Sequence, residues 1–154
     1  MSKHRLSTII LTAVLLTAAV GYMAYSARAE GQEGGKGTLL INLTSGWEDL
    51  HAVTMALELA GHGLNDGREV IVFLNVRGPE LAGKDLPPAC GLAGKPRIPD
   101  MMSQLMKRGA TVLCCPSCMQ ILGVQETDLA PGVKLATKEN LFGKLGAGAV
   151  VFSY

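Results

Sequence analysis

The 154 residues carry 14 Lys and Arg against 13 Asp and Glu, a formal charge of +1, and include only three Phe, three Tyr and one Trp. The basic residues are scattered and the few aromatics do not alternate with them. That excludes a phosphate-tracking groove or a base-stacking platform, so no nucleic-acid partner is expected.

The chain opens on Lys3, His4 and Arg5, then runs apolar from Leu6 to about Tyr25, and holds no acid before Glu30. A basic start followed by an uncharged apolar run marks an export signal, and Ala27-Arg28-Ala29 supplies the small-x-small pattern of a cleavage site. Residues 1–29 are therefore expected to form a signal peptide. A run this long also suffices to cross a bilayer, so an uncleaved N-terminal anchor is the alternative, with membrane contact only through residues 6–25. Residues 30–37 read as a Gly-rich linker. In either case the domain over residues 38–154 is expected on the exported, periplasmic side. Lys3, Arg5 and Arg28 belong to the leading segment, so 11 of the 14 basic residues remain against 13 acidic ones. All four cysteines, Cys90, Cys114, Cys115 and Cys118, lie in the exported part, where an oxidising compartment makes their redox state matter.

From Gly37 onward short β-rich runs alternate with amphipathic stretches. Residues 38–44 read as a buried strand. Residues 47–64 place Leu50, Val53, Leu57, Ala60 and Leu64 at helical spacing, closed by Gly61, Gly63 and Asn65-Asp66-Gly67. Residues 69–76 form a continuous apolar run of the kind found in parallel sheets covered on both faces. A Gly/Pro-rich stretch over 77–96 leads to a helix over 99–108, with Met102, Leu105 and Met106 on one side and Gly109 as its stop. The third strand is read over 111–115, a short helix over 117–122, and a brief strand over 133–136. Thr137 is the N-cap of a helix over 138–145, with Asn140 where a capping box usually has Glu, so the cap is expected to be partial. Residues 149–154 close the chain as a last strand. Five strands with four βα-type crossovers predict an α/β fold, a single three-layer domain with a five-stranded, mostly parallel, doubly wound sheet.

In such a sheet ligands gather outside the carboxyl ends of the strands. This collects residues 44–47, the 77–97 loop with Cys90, the Cys115-Pro116-Ser117-Cys118 motif, and the 136–137 turn. The strand period of two puts Cys114 on the opposite face from Cys115, as a small buried hydrophobe. Cys115 ends its strand where the amides of the next helix are unpaired, and those donors with the helix dipole favour a thiolate. Cys118 lies one turn on, a spacing that permits either a disulfide or two soft metal ligands. Pro116 presets the helix start. A disulfide closing so short a loop restrains few unfolded conformations, which makes stability a weak reason for the pair. His51, one turn into the first helix, is placed either to pair with a thiolate or act in acid–base chemistry, or to make a structural hydrogen bond. His62 reads as solvated, and Trp47 as packing. Met101, Met102, Met106 and Met119 fall mostly at core spacing. Gly31 to Gly37 precede the first strand, where a dinucleotide fingerprint would follow it, so no cofactor is expected.

The run Ala110-Thr-Val-Leu-Cys-Cys-Pro-Ser-Cys-Met-Gln-Ile-Leu-Gly-Val124 resembles the DsrE/DsrF-like family. So do His51-Ala-Val-Thr-Met-Ala-Leu57, Val72-Phe-Leu-Asn-Val-Arg-Gly78, Leu141-Phe142 and Ser153-Tyr154, and the resemblance covers everything after the linker. It implies a small α/β domain that self-assembles and carries sulfane sulfur as a persulfide on one cysteine at the third strand's end. Counted back from Gly123-Val124, that cysteine matches Cys115. Cys118 has no counterpart in single-cysteine relay proteins and resembles exported relatives. A neighbouring thiol readily attacks a persulfide and leaves a disulfide.

The leading expectation is an exported DsrE-like sulfur-carrier or thiol-exchange protein, a persulfide carrier of the sulfurtransferase kind rather than a turnover enzyme. Its site residues are Cys115 as acceptor, Cys118 as resolving or stabilising partner, and His51. Its expected partners are further copies of itself and a sulfur-donor or acceptor protein or small sulfur species. Two alternatives remain open at this stage. One is a periplasmic module holding Cu(I) or Zn(II) through Cys115 and Cys118 with Cys90 or His51. The other is a structural interaction domain whose cysteine pair is oxidised.

Overall fold

Aliphatic and β-branched runs build the strands at the centre of the molecule. In the computed structural model, which describes residues 36–154, β1 (Thr38–Leu43), β2 (Glu69–Leu74) and β3 (Thr111–Cys114) lie side by side. Thr38 pairs with Glu69 through to Leu43 with Leu74, and Ile71 pairs with Thr111 through to Leu74 with Cys114. The short β4 (Lys134–Leu135) flanks β3, and β5 (Val150–Ser153) flanks β1. The order is β4-β3-β2-β1-β5 and every pairing is parallel, so the expected doubly wound sheet is present with no antiparallel strand in it. Residues 36–154 lie in one compact unit. The signal or anchor expected over residues 1–29 and most of the 30–37 linker fall outside the described residues.

The helices divide unequally between the two faces. α1 (Leu50–Asn65), α2 (Ile98–Lys107) and α3 (Pro116–Leu122) share one face, where Val53, Leu57, Met102, Leu105 and Met119 pack on Leu39, Ile41, Leu43, Val70, Val72, Val112 and Cys114. Among the described residues the other face holds only Leu40, Ile71 and Leu113 under Leu141 of α4 (Lys138–Leu141), with Phe73, Ala136 and Leu145 partly buried around them. The cause is handedness. Three right-handed crossovers stepping the same way lay their helices on one face, and only the last, which turns back past β1, lays a helix on the other. That second layer is thin. Val151 of β5, which pairs with Leu40 on this face, stays 54% exposed, and Phe142 beside α4 stays 67% exposed; Phe152, which pairs with Ile41, stays 45% exposed on the opposite face, at the edge beside α1.

Several boundaries differ from the sequence expectation for local reasons. The stretch over 47–64 begins as a 3-10 turn (Trp47–Asp49), because Asp49 caps α1 by accepting a hydrogen bond from the Ala52 amide at 2.8 Å. The 138–145 helix stops after Leu141 and continues as a 3-10 turn (Phe142–Lys144). Asn140 nevertheless completes the box: its amide donates to Thr137 Oγ1 at 3.2 Å, and its Oδ1 accepts from the Thr137 amide at 2.7 Å. Among the described residues no helix is long and apolar enough to cross a membrane.

The loop after β2 is pressed onto the end of β1. A Cβ added at Gly78 would lie 2.5 Å from the Leu43 carbonyl oxygen and 3.4 Å from Leu74 Cβ, and a backbone carbonyl in the sheet cannot give way. Gly78→Ala is therefore expected to lower stability by about 1–3 kcal/mol, read as a lower thermal midpoint. An unchanged melt would contradict this packing.

Candidate functional site

The site is built where β3 turns into α3. The Cys115 amide donates to the Leu74 carbonyl at 3.0 Å, the last rung between β2 and β3, and the Cys115 carbonyl accepts from the Met119 amide at 2.9 Å. Cys115 thus ends the ladder and caps α3, with φ −71° and ψ 115°. Pro116 enforces both roles, since a residue before proline is pushed out of the helical region and proline itself suits the first helical position. α3 closes at Gly123, whose φ of 73° is the left-handed turn that glycine adopts without strain.

Cys118 sits one turn beyond Cys115, and all four cysteines are free thiols. Both members of the pair are half-buried. The Cys118 thiol donates to Asn75 Oδ1 at 3.2 Å. Burial pushes its pKa up, and a hydrogen bond with Cys115 adds to the rise, while the Val76 amide opposes it. Cys118 is accordingly held as a thiol. α3 has only seven residues, so the dipole invoked from sequence is that of a two-turn helix.

The other cysteines are core residues. Cys114 is fully buried, and desolvation, with the neighbouring Cys115 and Cys118, drives its thiol up to about 12. Cys90 is fully buried in the main core, where desolvation raises its pKa and Arg97 partly offsets the rise. Its amide donates to the Pro87 carbonyl at 3.0 Å and its carbonyl accepts from the Ile98 amide at 2.8 Å. Those bonds tie the long loop to α2, and no hydrogen bond joins Cys90 to Cys115 or Cys118. His51 is exposed on the first turn of α1 and bonds to neither thiol. Trp47 packs half-buried on the core, as do Met101 and Met106, and Met102 and Met119 lie within it. Among the described residues no group of three or more His, Cys, Asp or Glu side chains converges on a common point.

Two residues at the site were not singled out from sequence. Val76 has φ 52°, the one positive value at a non-glycine among the described residues, and it breaks the strand expected to run to residue 76. A β-branched residue there is strained, and such strain persists only where surrounding bonds over-determine it. Those bonds are present: Asn75 N–H donates to Leu43 O at 2.9 Å, Arg77 N–H to Thr44 O at 3.0 Å, and Gly78 N–H to Asn75 O at 2.8 Å. Arg77 also clamps the loop through Glu48 at 2.9 Å and Glu80 at 2.7 Å. The available signal was Asn75 itself, a turn-forming residue closing an apolar run.

The DsrE/DsrF-like family model matches residues 38–154. An uncharacterized protein of Methanocaldococcus jannaschii, MJ0989, is 34% identical over 86 residues, 56% of this chain and 72% of that one. Another, MK0008 of Methanopyrus kandleri, is 34% identical over 86 residues, 56% of this chain and 68% of that one. Among solved structures the chain resembles the ychN protein of E. coli, with a TM-score of 0.58 and 19% identity over 77% of this chain and 98% of that one. It also resembles MTH1491, a protein of unknown function from Methanobacterium thermoautotrophicum, with a TM-score of 0.60 and 13% identity over 77% and 99% of the two chains. The structural likenesses speak for the fold, and the family model, matched from β1 to the end of β5 and beyond, shows that the chain belongs to the DsrE/DsrF-like family.

Proposed function

We propose that this chain is an exported sulfur-carrier or thiol-exchange protein in which Cys115 accepts sulfane sulfur and Cys118 resolves or stabilises the product. The observation that carries the reading is the pair of free, half-buried thiols one helical turn apart at the carboxyl end of β3, outside the main core and at the edge where an open α/β sheet offers its ligand crevice. The Cys115 thiolate attacks the sulfane sulfur of a persulfide or polysulfide donor. A new S–S bond forms, the donor's S–S bond breaks, and the donor thiolate departs with the electron pair. An acceptor thiolate attacking the outer sulfur regenerates the Cys115 thiolate. Attack by Cys118 on the inner sulfur instead closes a Cys115–Cys118 disulfide and releases hydrosulfide. No hydrogen bond joins His51 to either thiol, so the proposal rests on the cysteines.

Cys115→Ser is expected to abolish sulfur loading from polysulfide, measured as the mass gain of one sulfur atom on the reduced protein. Cys118→Ser is expected to keep the loading and to lengthen the life of the persulfide, because the resolving thiol is gone. Undiminished loading of Cys115→Ser would overturn the assignment.

The proposal includes export and self-association. Export is supported by the basic start, the apolar run and Ala27-Arg28-Ala29. Self-association is supported by the sheet face under α4, thinly covered among the described residues with Phe142 and Val151 exposed, and by an apolar cleft of about 320 Å³ on the opposite face between α1 and β5, lined by Leu39, Leu59, Val150 and Phe152. An exposed apolar edge strand is itself a surface that other chains cover. The native mass of the protein recovered from the exported fraction at micromolar concentration checks both. The expected result is an assembly of more than one chain, each beginning near Glu30. A monomer would remove the assembly, and a chain retaining residues 1–29 would mean an anchor rather than a cleaved signal.

A further inference from the structure

We propose that Asn75 is a positioning residue for the thiol pair: its side-chain oxygen holds the Cys118 S–H and keeps the resolving thiol protonated while sulfur resides on Cys115. The consequence for sulfur transfer rests on the carrier reading above, whereas the hold on Cys118 rests on geometry alone.

The carboxamide orientation is settled by its neighbours. Asn75 Oδ1 accepts from the Val76 amide at 2.9 Å, and Asn75 Nδ2 donates to Asn42 Oδ1 at 3.4 Å. Asn42 Nδ2 in turn donates to Ser153 Oγ at 3.2 Å. Turning the Asn75 amide over would set donor against donor at Val76 and acceptor against acceptor at Asn42. The group presented to Cys118 Sγ at 3.2 Å is therefore the oxygen. A carbonyl oxygen accepts from a thiol and has nothing to donate to a thiolate, so it favours the neutral form. The backbone of Asn75 is pinned from both sides, by Leu43 O and by the Gly78 amide, and the strained turn at Val76 directly follows it.

Two acceptors compete for the Cys118 proton, the Cys115 sulfur and Asn75 Oδ1. A Cys115 thiolate is the stronger acceptor. Once Cys115 carries an added sulfur, its inner sulfur is bonded on both sides and accepts weakly, and the proton rests on Asn75. Cys118 must release that proton to solvent before attacking the inner sulfur. The attack forms the Cys115–Cys118 bond and breaks the bond to the outer sulfur, which leaves as hydrosulfide. Two cysteines are oxidised and the sulfane sulfur is reduced, so no outside oxidant is needed. Asn75 delays this loss and leaves time for an acceptor to take the outer sulfur. The titratable groups facing Cys118 are Cys115 beside it and buried Cys114 behind. The charges on the neighbouring segments, Arg77, Glu48 and Glu80, pair with one another.

The decisive measurement is the pH dependence of Cys118 alkylation by iodoacetamide in the Cys115→Ser protein, where the loading chemistry is absent. Adding Asn75→Ala is expected to lower the alkylation midpoint by about half a unit to one unit, the scale of one lost hydrogen bond to the thiol. Adding Asn75→Asp, which keeps an acceptor and brings a negative charge, is expected to raise it. A midpoint unmoved by both substitutions overturns the proposal, and if Asn75→Ala fails to melt cooperatively the Asp variant decides alone. With both cysteines present, Asn75→Ala is expected to shorten the persulfide lifetime at neutral pH about three- to tenfold, matching the added thiolate. Cys118→Ser in the same protein should restore the long lifetime. A lifetime unchanged by Asn75→Ala counts against the proposal. If no variant takes up sulfur, the carrier reading fails while the alkylation midpoint still decides the role of Asn75.

Discussion

The hydrogen bond from the Cys115 amide to the Leu74 carbonyl is the last act of the sheet at this site, and the residue after it is a proline. Pro116 has no N–H to extend the ladder and bars Cys115 from the helical region, so the strand must end there and the helix must begin there. Every feature of the site follows from that junction. Cys114 is left in the ladder and faces the core. Cys115 is turned out at the strand's end, and Cys118 is carried one turn along α3 to meet the loop that follows β2.

The sheet supplies the rest by bringing three strand ends level. The in-register pairing of β1, β2 and β3 places Leu43, Leu74 and Cys114 in one row, and the loops leaving that row interlock. Leu43 and Thr44 accept from Asn75 and Arg77, and Asn75 meets Cys118. The reversal of direction after β4 has a second consequence. Among the described residues it leaves β5 and the face under α4 thinly covered, and the Asn75–Asn42–Ser153 chain of side chains runs from the thiol pair to that exposed strand. The thiol pair and the exposed strand are therefore joined by hydrogen bonds rather than separated by core.

How much of this could be read from the sequence depends on how local the cause is. The strand period alone puts Cys114 and Cys115 on opposite sides, and Pro116 marks the junction, so the thiol pair and its place in the sheet were legible. So was the all-round burial of β2, from its unbroken apolar run. The turn at Val76 was not, because Val70 to Val76 reads as a single strand until Leu43 and Thr44, more than 30 residues earlier in the chain, draw the backbone aside. Cys90 was placed near the thiols by loop topology, yet its side chain is worth more in the core than in the cleft, and its backbone bonds hold it there. The capping role of Asn140 shows the converse: a shorter side chain than the usual Glu suffices because the turn is tight.

The central claim is that Cys115 carries sulfane sulfur, and peptide mapping of the wild-type protein tests it most directly. The reduced protein is exposed to polysulfide, blocked with an alkylating reagent that preserves persulfides, and digested without reductant. The account predicts one additional sulfur atom on Cys115, together with a fraction of Cys115–Cys118 disulfide that grows with time, and neither on Cys90 or Cys114. Added sulfur found first on Cys118, or on none of the four cysteines, would contradict it.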